Sequence, residues 1–378
     1  MHLISRCNQG RSAALAAICG VALLGGLPRL ARAQDQSPAV QPRPVQQAPT
    51  EASSGSSPIT IHVAVTDKLG HHVDGLQASD FTVLDNKEPQ KLLGFRASDD
   101  RTAAADPVHV VIVLDMINTG FSEVAWERQQ LDEFLKQDNG KLANPTSIAF
   151  FADAGPQMQK QATLDGNALL AAFDKSQTAL RTVTRGTGFY GAAERLEMSL
   201  GQLGQLASVG ASWPGRKLFL VISGGWPLLP FAGDQEDEKQ SNWVFNSVVQ
   251  LTNGLRESQI TLYCLDPFEL GRSNPFYYQG YLKGVALAKQ AQYPNLALQV
   301  LAEHSGGEVL IKGKDITGDL NLAVRDANAG YDLTFAAAPG DRPNEYHALQ
   351  VQVDKPDVKT RAVSGYYARP QAVGVNKH

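Results

Sequence analysis

The chain has 378 residues, of which 43 % are hydrophobic and 19 % charged, proportions typical of a globular protein with one large or two moderate domains. The formal net charge is −4, and removing the first 33 residues leaves 30 basic and 38 acidic residues, a net charge of −8. This acidic balance argues against nucleic acid or an anionic membrane as the main partner.

Residues 1–33 have the features of a secretory signal peptide. Arg6 and Arg11 precede an uncharged apolar stretch at residues 12–27, and Ala31-Arg32-Ala33 fits a small-x-small cleavage site. The apolar stretch is shorter than the about 20 residues that a membrane-spanning helix needs. We therefore predict cleavage before Gln34, export to the periplasm or the extracellular space, and no membrane insertion of the mature chain. An uncleaved membrane anchor is the alternative.

Residues 34–57 are rich in Pro, Gln, Ser and Ala and show no hydrophobic period, so we predict a disordered linker. Apolar and polar residues alternate from Ile59 to Thr66, a pattern typical of a half-buried strand. Short strand patterns continue to Phe95. Residues 58–98 are thus predicted to be the N-terminal part of a β domain, because a segment of this size makes too small a core by itself.

Residues 106–329 alternate strand and helix patterns, which predicts an α/β domain with a doubly wound, mostly parallel, six-stranded sheet. The nearly continuous apolar run at residues 108–114 is typical of a central strand that is buried on both faces. Residues 158–163 are a candidate edge strand. The predicted apolar face of the helix after the central strand consists of Phe121, Val124, Leu131 and Leu135.

Residues 330–370 return to strand patterns, with alternation at residues 331–335 and 349–353 and a hairpin signal at residues 341–344. We predict that this segment pairs with residues 58–98 in one smaller β-sandwich-like domain, into which the α/β domain is inserted. Residues 371–378 are predicted to be a disordered tail.

Three loops of the α/β domain are candidates for a binding site, at residues 115–119, 185–188 and 223–227. In doubly wound sheets, ligands bind beyond the carboxyl ends of the strands, where the strand order reverses. The sequence resembles the VWFA-related domain family described from Acidobacteria, which has a von Willebrand factor A-like (VWA-like) fold. The resemblance is carried by residues 63–95, VHVVIVLDMINT (108–119), RGTGFYGAAERL (185–196), LFLVISGGWP (218–227) and residues 346–367.

The resemblance implies a metal-ion-dependent adhesion site, in which a D-x-S-x-S loop, a later Thr and a later Asp hold Mg²⁺. Asp115 matches the first Asp, Thr119 the second Ser and Thr187 the Thr, and Asn118 offers a substitute oxygen.

Two of the family's ligands are replaced, the first Ser by Ile117 and the late Asp by Gly224. Mg²⁺ prefers six oxygen ligands. We therefore predict a degenerate site without a cofactor, and the alternative is Mg²⁺ or Ca²⁺ retained at Asp115, Thr119 and Thr187. In a further alternative, Asp115 and Thr119 cap the helix that begins near Phe121.

Two apolar loops are predicted at the same edge of the sheet, one at residues 226–231 and one, aromatic, after the strand at residues 260–265. Exposed apolar patches with aromatic residues mark protein contacts, and the alternative is that both loops pack onto the domain. The predicted partner-binding residues are Trp226, Leu228, Leu229, Phe231, Phe276, Tyr277 and Tyr278.

No motif assembles a nucleophile with a base, because the chain contains no Walker loop, H-E-x-x-H helix or G-x-S-x-G elbow. The sequence therefore predicts an exported, non-catalytic VWA-like protein that mediates a protein–protein interaction or adhesion. Two alternatives stay open: a Mg²⁺- or Ca²⁺-dependent adhesion module, and a cell-envelope hydrolase whose site is not recognised.

Overall fold

The structure is a computed structural model that describes residues 58–98, 107–159, 161–177, 188–226, 238–268, 280–311 and 315–368. The chain has a mixed α/β fold with one mostly parallel sheet and two antiparallel sheets. Within the described ranges, no helix combines the length and the apolar character that crossing a membrane requires.

Fifteen strands are formed by the described residues. They are β1 (Pro58–Thr66), β2 (Phe81–Asp85), β3 (Glu88–Gln90), β4 (Leu92–Ser98), β5 (His109–Asp115), β6 (Lys141–Phe151), β7 (Gln157–Met158), β8 (Thr163–Asp165), β9 (Lys217–Ile222), β10 (Ile260–Leu265), β11 (Val309–Leu310), β12 (Gly330–Ala336), β13 (Glu345–Val353), β14 (Lys359–Ala362) and β15 (Gly365–Ala368).

The α-helices of the described part are α1 (Phe121–Leu135), α2 (Gly166–Gln177), α3 (Gly188–Ala211), α4 (Glu238–Glu257), α5 (Leu298–His304) and α6 (Ile316–Asn328). Short 3₁₀ helices occur at Ala78–Asp80, Gln137–Gly140, Ala288–Gln290 and Tyr293–Leu296.

The central sheet has the strand order β11-β10-β9-β5-β6-β7, and β8 pairs with β6. Strands β5, β6, β9, β10 and β11 are parallel, whereas β7 and β8 run antiparallel to β6. When β5, β6, β7, β9, β10 and β11 are numbered 1 to 6 along the chain, the strand order across the sheet, starting from β7, is 3-2-1-4-5-6. This is the order of doubly wound sheets, and it reverses between β5 and β9. The mostly parallel sheet is confirmed. It has seven strands rather than six, because the candidate edge strand is divided into β7 and β8.

Three helices cover each face of this sheet. Apolar residues of α3, α4 and α5 pack on one face of β5 and β9, and apolar residues of α1, α2 and α6 pack on the other. The sheet is therefore enclosed by two separate cores, which explains why β9 is buried at every position.

Helix α1 buries one stripe, formed by Val124, Glu127, Leu131, Phe134 and Leu135. Phe121 does not belong to it, since 77 % of its side chain is exposed. The predicted apolar face was therefore wrong at Phe121, which is the first residue of the helix and points away from the core.

Strands from the two ends of the described chain pair with each other. β1 lies between β12 and β14 in one antiparallel sheet, with β4 on the far side of β12, and β13 lies between β2 and β15 in the other. The two four-stranded sheets share one hydrophobic core, and we refer to them together as the antiparallel sheets.

A cluster of charges around Asp332 connects the antiparallel sheets to the central sheet. Asp332 Oδ2 accepts hydrogen bonds from Arg96 Nε (3.0 Å) and Nη2 (2.6 Å), and its Oδ1 lies 2.9 Å from His62 Nδ1. Arg216, which precedes β9, lies 3.9 Å from Asp332 and donates to the Ala327 carbonyl at 2.7 Å. Burial would raise the pKa of Asp332, but His62 and Arg216 hold it well below its usual value.

A second charge cluster lies at the same amino-terminal edge of the central sheet. Arg361 of β14 donates to Glu308 at 2.8 Å and also to Asp326 of α6. The same guanidinium lies 2.6 Å from the hydroxyl of Tyr263 in β10. The antiparallel sheets are thus connected to the central sheet by charged groups, several of them partly buried, that have partners of opposite sign.

Candidate functional site

The carboxyl ends of β5 and β9 lie side by side at the point where the strand order reverses. Asp115 is the last residue of β5, and Ser223 directly follows β9. Both side chains are fully buried. The fold therefore brings together two of the three loops that the sequence singled out. The third, at residues 185–188, has only Gly188 within the described residues, and Thr187 lies outside them.

Asp115 accepts four hydrogen bonds. Its Oδ1 accepts from the backbone N–H groups of Ile117 (3.0 Å) and Asn118 (3.1 Å). Its Oδ2 accepts from Asn118 Nδ2 (2.8 Å) and Ser223 Oγ (2.7 Å). Burial raises the pKa of Asp115, and these hydrogen bonds counteract that rise. Asp115 therefore organises its own loop and ties it to the loop after β9.

The helix-cap alternative for Asp115 and Thr119 is wrong. The N-cap of α1 is Gly120, which has no side-chain cap, and Asp115 bonds N–H groups that precede the helix. Thr119 Oγ1 is buried and has no hydrogen-bond partner. The carboxylate of Asp115 accepts hydrogen bonds within the tight turn that follows β5, so it does not cap α1.

Asn118 connects this loop to α3. Its Nδ2 donates to Ser199 Oγ at 2.9 Å as well as to Asp115, whereas its Oδ1 is buried and has no partner. Thr119 Oγ1 is in the same situation. Buried acceptors without donors are rare in proteins and mark a place where water, an ion or a ligand supplies the missing contact.

Glu127 of α1 is a second buried carboxyl group, which sequence reasoning missed. Its side chain is fully buried, and neither of its oxygens has a hydrogen-bond partner. Burial raises the pKa of Glu127 well above its usual value, and the negative charges of Asp115 and Glu123 raise it further. The available signal was its spacing, since Glu127 takes an apolar position between Val124 and Leu131 in the stripe of α1.

The ligand set implied by the family resemblance does not fit this chain. Ile117 takes the place of a hydroxyl and packs into a hydrophobic core, and Gly224 has no side chain to offer. All hydrogen-bonding positions of Asp115 already have donors. Among the described residues, no three His, Cys, Asp or Glu side chains are grouped so that they could hold a metal ion. The buried oxygens that have no hydrogen-bond partner include Asn118 Oδ1, Thr119 Oγ1 and both carboxylate oxygens of Glu127.

Trp226 was predicted to be exposed in a partner-binding loop, and this prediction was wrong. Only 2 % of Trp226 is exposed, and the indole packs in a core with α4 and α5. Gly225 turns the chain with a φ of +82°, and a Cβ there would lie 1.7 Å from Gln299 Nε2 of α5. This glycine allows the loop to fold against α5, which directs Trp226 inward. Leu228, Leu229, Phe231, Phe276, Tyr277 and Tyr278 lie outside the described residues.

Two other aromatic side chains are exposed at this edge of the sheet. Phe121 begins α1 and is 77 % exposed, and Tyr190, in the first turn of α3, is 87 % exposed. Both helices begin at the carboxyl-terminal edge, because each returns the chain to the start of a parallel strand. We call this edge, with Asp115, Ser223, Phe121 and Tyr190, the carboxyl face.

A comparison with known protein families finds no family that matches the chain, and a comparison with curated proteins finds no match. Among solved structures, the chain is similar to the human COPII-coat protein Sec24c, with a TM-score of 0.34, 10 % sequence identity and coverage of 70 % of this chain and 44 % of that protein. It is also similar to the pilus adhesin SpaC from Lactobacillus rhamnosus GG, with a TM-score of 0.35, 9 % identity and coverage of 79 % of this chain and 49 % of the adhesin. The chain spans about half the length of each. Similarities of this size assign no function.

Proposed function

We propose that the chain is an exported, non-catalytic protein of the VWA-like type that binds a protein partner through its carboxyl face. The observation that carries this proposal is the pair of exposed aromatic side chains, Phe121 and Tyr190, beside the point where the strand order reverses. Ligands of doubly wound sheets bind at that point, and aromatic residues are enriched in protein–protein contacts.

The hydrogen bonds at the carboxyl face favour binding over catalysis. The hydroxyl of Ser223 donates to Asp115 and accepts from the Gly225 N–H at 3.1 Å. A serine nucleophile instead needs a base that is positioned to take its proton, usually a histidine. Within the described part of the chain, no hydrogen bond joins Ser223 or Asp115 to a histidine.

A capture experiment tests the proposal. The full-length mature chain is immobilised, and envelope proteins of the native host are captured by the wild type and by a Phe121→Ala/Tyr190→Ala variant. We expect proteins that bind the wild type to be lost with the double variant, since each truncation removes an exposed aromatic contact worth more than about 1 kcal/mol at a hot spot.

The matched control is Leu69→Ala, which removes a side chain in the turn after β1 that is 81 % exposed. We expect it to capture the same proteins as the wild type. If the double variant, still folded by circular dichroism, captures an unchanged set of proteins, the carboxyl face is not the binding surface and the proposal is wrong.

Export is a separate part of the proposal and has its own test. The apolar stretch at residues 12–27 and the Ala31-Arg32-Ala33 site support it. We expect the chain in the periplasmic or culture fraction to begin at Gln34 when its N-terminus is sequenced. Recovery of the uncleaved chain in the cytoplasm would contradict this part alone.

A further inference from the structure

A cleft of about 740 Å³ runs between α3 and α4, which pack side by side on one face of the central sheet. Leu200 of α3 and Leu255 of α4 line it and are buried, so its floor is apolar. Trp243 of α4 also lines the cleft and is 39 % exposed. Binding sites for small ligands and peptide side chains have volumes of about 300–1,000 Å³, so the cleft is large enough to hold one.

Three glycines keep this cleft open. Gly201 and Gly204 of α3 and Gly254 of α4 line it, and a Cβ at any of them would have no atom of the described residues within 4 Å. All three lie inside their helices, where glycine is unfavourable because it loses the most backbone freedom on folding. Both helices thus give up stability for open space, as is expected where a further segment packs between them.

The described chain comes to the flank of α4 directly before residues 369–378, which lie outside the described residues. Tyr367 of β15 accepts a hydrogen bond from Asn253 Nδ2 at 2.9 Å, and its N–H donates to Asn253 Oδ1 at 3.1 Å. The ring of Tyr367 meets the ring of Phe245 edge-on, with 5.9 Å between centroids. Residue 369 therefore begins two residues beyond a point that is fixed against α4.

The path from this point to the cleft is short. Asn253 and Gly254 are neighbours on α4 and point about 100° apart around a helix with a radius of about 5–6 Å, an arc of roughly 10 Å. Glu257 lies on this arc and is exposed, so the path runs over the surface of the helix. Three extended residues span the arc at about 3.3 Å each, which leaves residues 372–378 to follow the cleft.

The sequence of this segment matches the apolar part of the cleft. Ala372, Val373 and Val375 supply small aliphatic side chains, which fit a cleft that is narrowed by leucines and widened by glycines. A segment that has no core of its own can still become ordered when it docks on such a surface. The disordered tail predicted from the sequence is therefore compatible with docking.

The charges match as well. Trp243 lies roughly 16 Å along α4 from Gly254, a distance that the five extended residues 372–376 cover. Lys377 then lies near Trp243 and Glu197, which is the one charged side chain among the described residues that line the cleft. An ammonium group is attracted both by a carboxylate and by the face of an indole ring.

We infer that residues 372–378 are an intramolecular ligand of the cleft between α3 and α4, with Lys377 beside Glu197 and Trp243. The segment covers the cleft in the intact chain, and any other occupant has to displace it. The inference is independent of the proposed function, because it concerns the flanks of α3 and α4 and not the carboxyl face.

The test uses a fluorescently labelled peptide of residues 369–378, titrated with the mature chain and with a shorter form that ends at Ala368. The shorter form keeps every described strand and helix. We expect it to bind the peptide saturably, as followed by fluorescence anisotropy. The intact chain is expected to bind at least about tenfold more weakly, because its own tail competes at a millimolar effective concentration. A Lys377→Glu peptide is expected to bind about threefold or more weakly, since its charge is reversed beside Glu197.

Variants of the shorter form test the place of binding. Gly204→Leu fills the cleft and is expected to lose peptide binding. Gln205→Leu is the matched control, because Gln205 is the exposed neighbour of Gly204 outside the cleft, and it is expected to bind like the unchanged shorter form. Trp243→Ala removes one end of the cleft and is expected to weaken binding, which provides a second variant should Gly204→Leu fail to fold by circular dichroism.

Four results would each overturn the inference. They are no binding of the peptide to the shorter form, equal binding to the intact chain, equal binding of the Lys377→Glu peptide, and unchanged binding to the folded cleft variants.

Discussion

Charged groups at the two edges of the central sheet differ in whether they have partners of opposite charge. At the amino-terminal edge, Asp332 is paired with Arg96, His62 and Arg216, and Arg361 is paired with Glu308 and Asp326. By contrast, Glu127 of α1, the helix that begins at the carboxyl-terminal edge, is fully buried, and neither of its carboxylate oxygens has a hydrogen-bond partner. Both edges belong to the same strands, so the difference does not come from the architecture of the sheet.

The contrast distinguishes charged groups that stabilise the fold from polar groups that are expected to bind something. The carboxylates at the amino-terminal edge have partners of opposite charge that connect the antiparallel sheets to the central sheet, and removing one partner leaves the other charge uncompensated. Acceptors without donors add nothing to the stability of the fold and are expected at places that bind something. The amino-terminal edge is therefore the seam between the antiparallel sheets and the central sheet, and the carboxyl-terminal edge is the place to look for a ligand.

The largest expected effect is at the seam. Asp332→Ala leaves Arg216 and His62 buried without their carboxylate, and we expect the free energy of unfolding to fall by about 3–5 kcal/mol. Urea unfolding followed by circular dichroism measures it. Lys68→Ala, which removes an ion pair with Asp357 that is 68 % exposed on both sides, is the control and is expected to cost less than about 1 kcal/mol. Equal losses in the two variants would mean that the seam is no stronger than a surface pair.

A smaller effect, which depends on pH, is expected at Glu303. Burial raises the pKa of Glu303 to about 7, and Glu308 raises it further, while the Val309 N–H and Arg361 lower it. Because the pKa is raised in the folded state, its contribution to stability is complete below about pH 4.5 and is lost as the pH rises through 7. We expect the wild type to lose about 1–2 kcal/mol between pH 5 and pH 8, and Glu303→Gln to lose much less.

The same urea titrations, repeated at several pH values, check the Glu303 prediction. If Glu303→Gln shows the same fall in stability between pH 5 and pH 8 as the wild type, another group is responsible and Glu303 does not titrate in this range.

The smallest expected effect distinguishes two buried threonines. Thr119→Val removes a hydroxyl without a partner, and in metal-free buffer we expect the free energy of unfolding to stay equal or to rise by up to about 1 kcal/mol. Thr146→Val is the matched variant, because its Oγ1 is also buried but donates to the Asn144 carbonyl at 2.8 Å. We expect it to lose about 1 kcal/mol. Losses of the same size at both positions would show that Thr119 has a partner after all.

The fold was predicted from hydrophobic patterns that extend over a whole strand. β5 and β9 have continuous apolar runs because nearly every side chain in them is buried. β1 and β13 show alternation of apolar and polar residues because one face of each strand is buried along its length. The position of Asp115 at the end of β5 followed from the first of these runs. Such patterns were enough to place the loop but not to show what its side chains bond.

The same reasoning could not predict the environment of a single residue when that environment depends on a segment far away in the sequence. Trp226 is buried because Gly225 folds its loop against Gln299, more than 70 residues away in the chain. The role of Ser223 depends on the pairing of β5 with β9, which places its hydroxyl beside Asp115. Glu127 left a trace in the sequence, as an acid within an apolar stripe, and was not recognised.

The pairing of the two chain ends has a consequence for how the protein is made. The hydroxyls of Thr60 and Thr334 are 2.8 Å apart although 274 residues separate them along the chain. At about 5–20 residues per second of synthesis, β1 and β4 wait for roughly tens of seconds before β12 exists. During that time their backbone N–H and C=O groups are open to pairing with other chains. A copy cut short before residue 330 would therefore lack the strands β12, β13 and β14 with which β1, β2 and β4 pair.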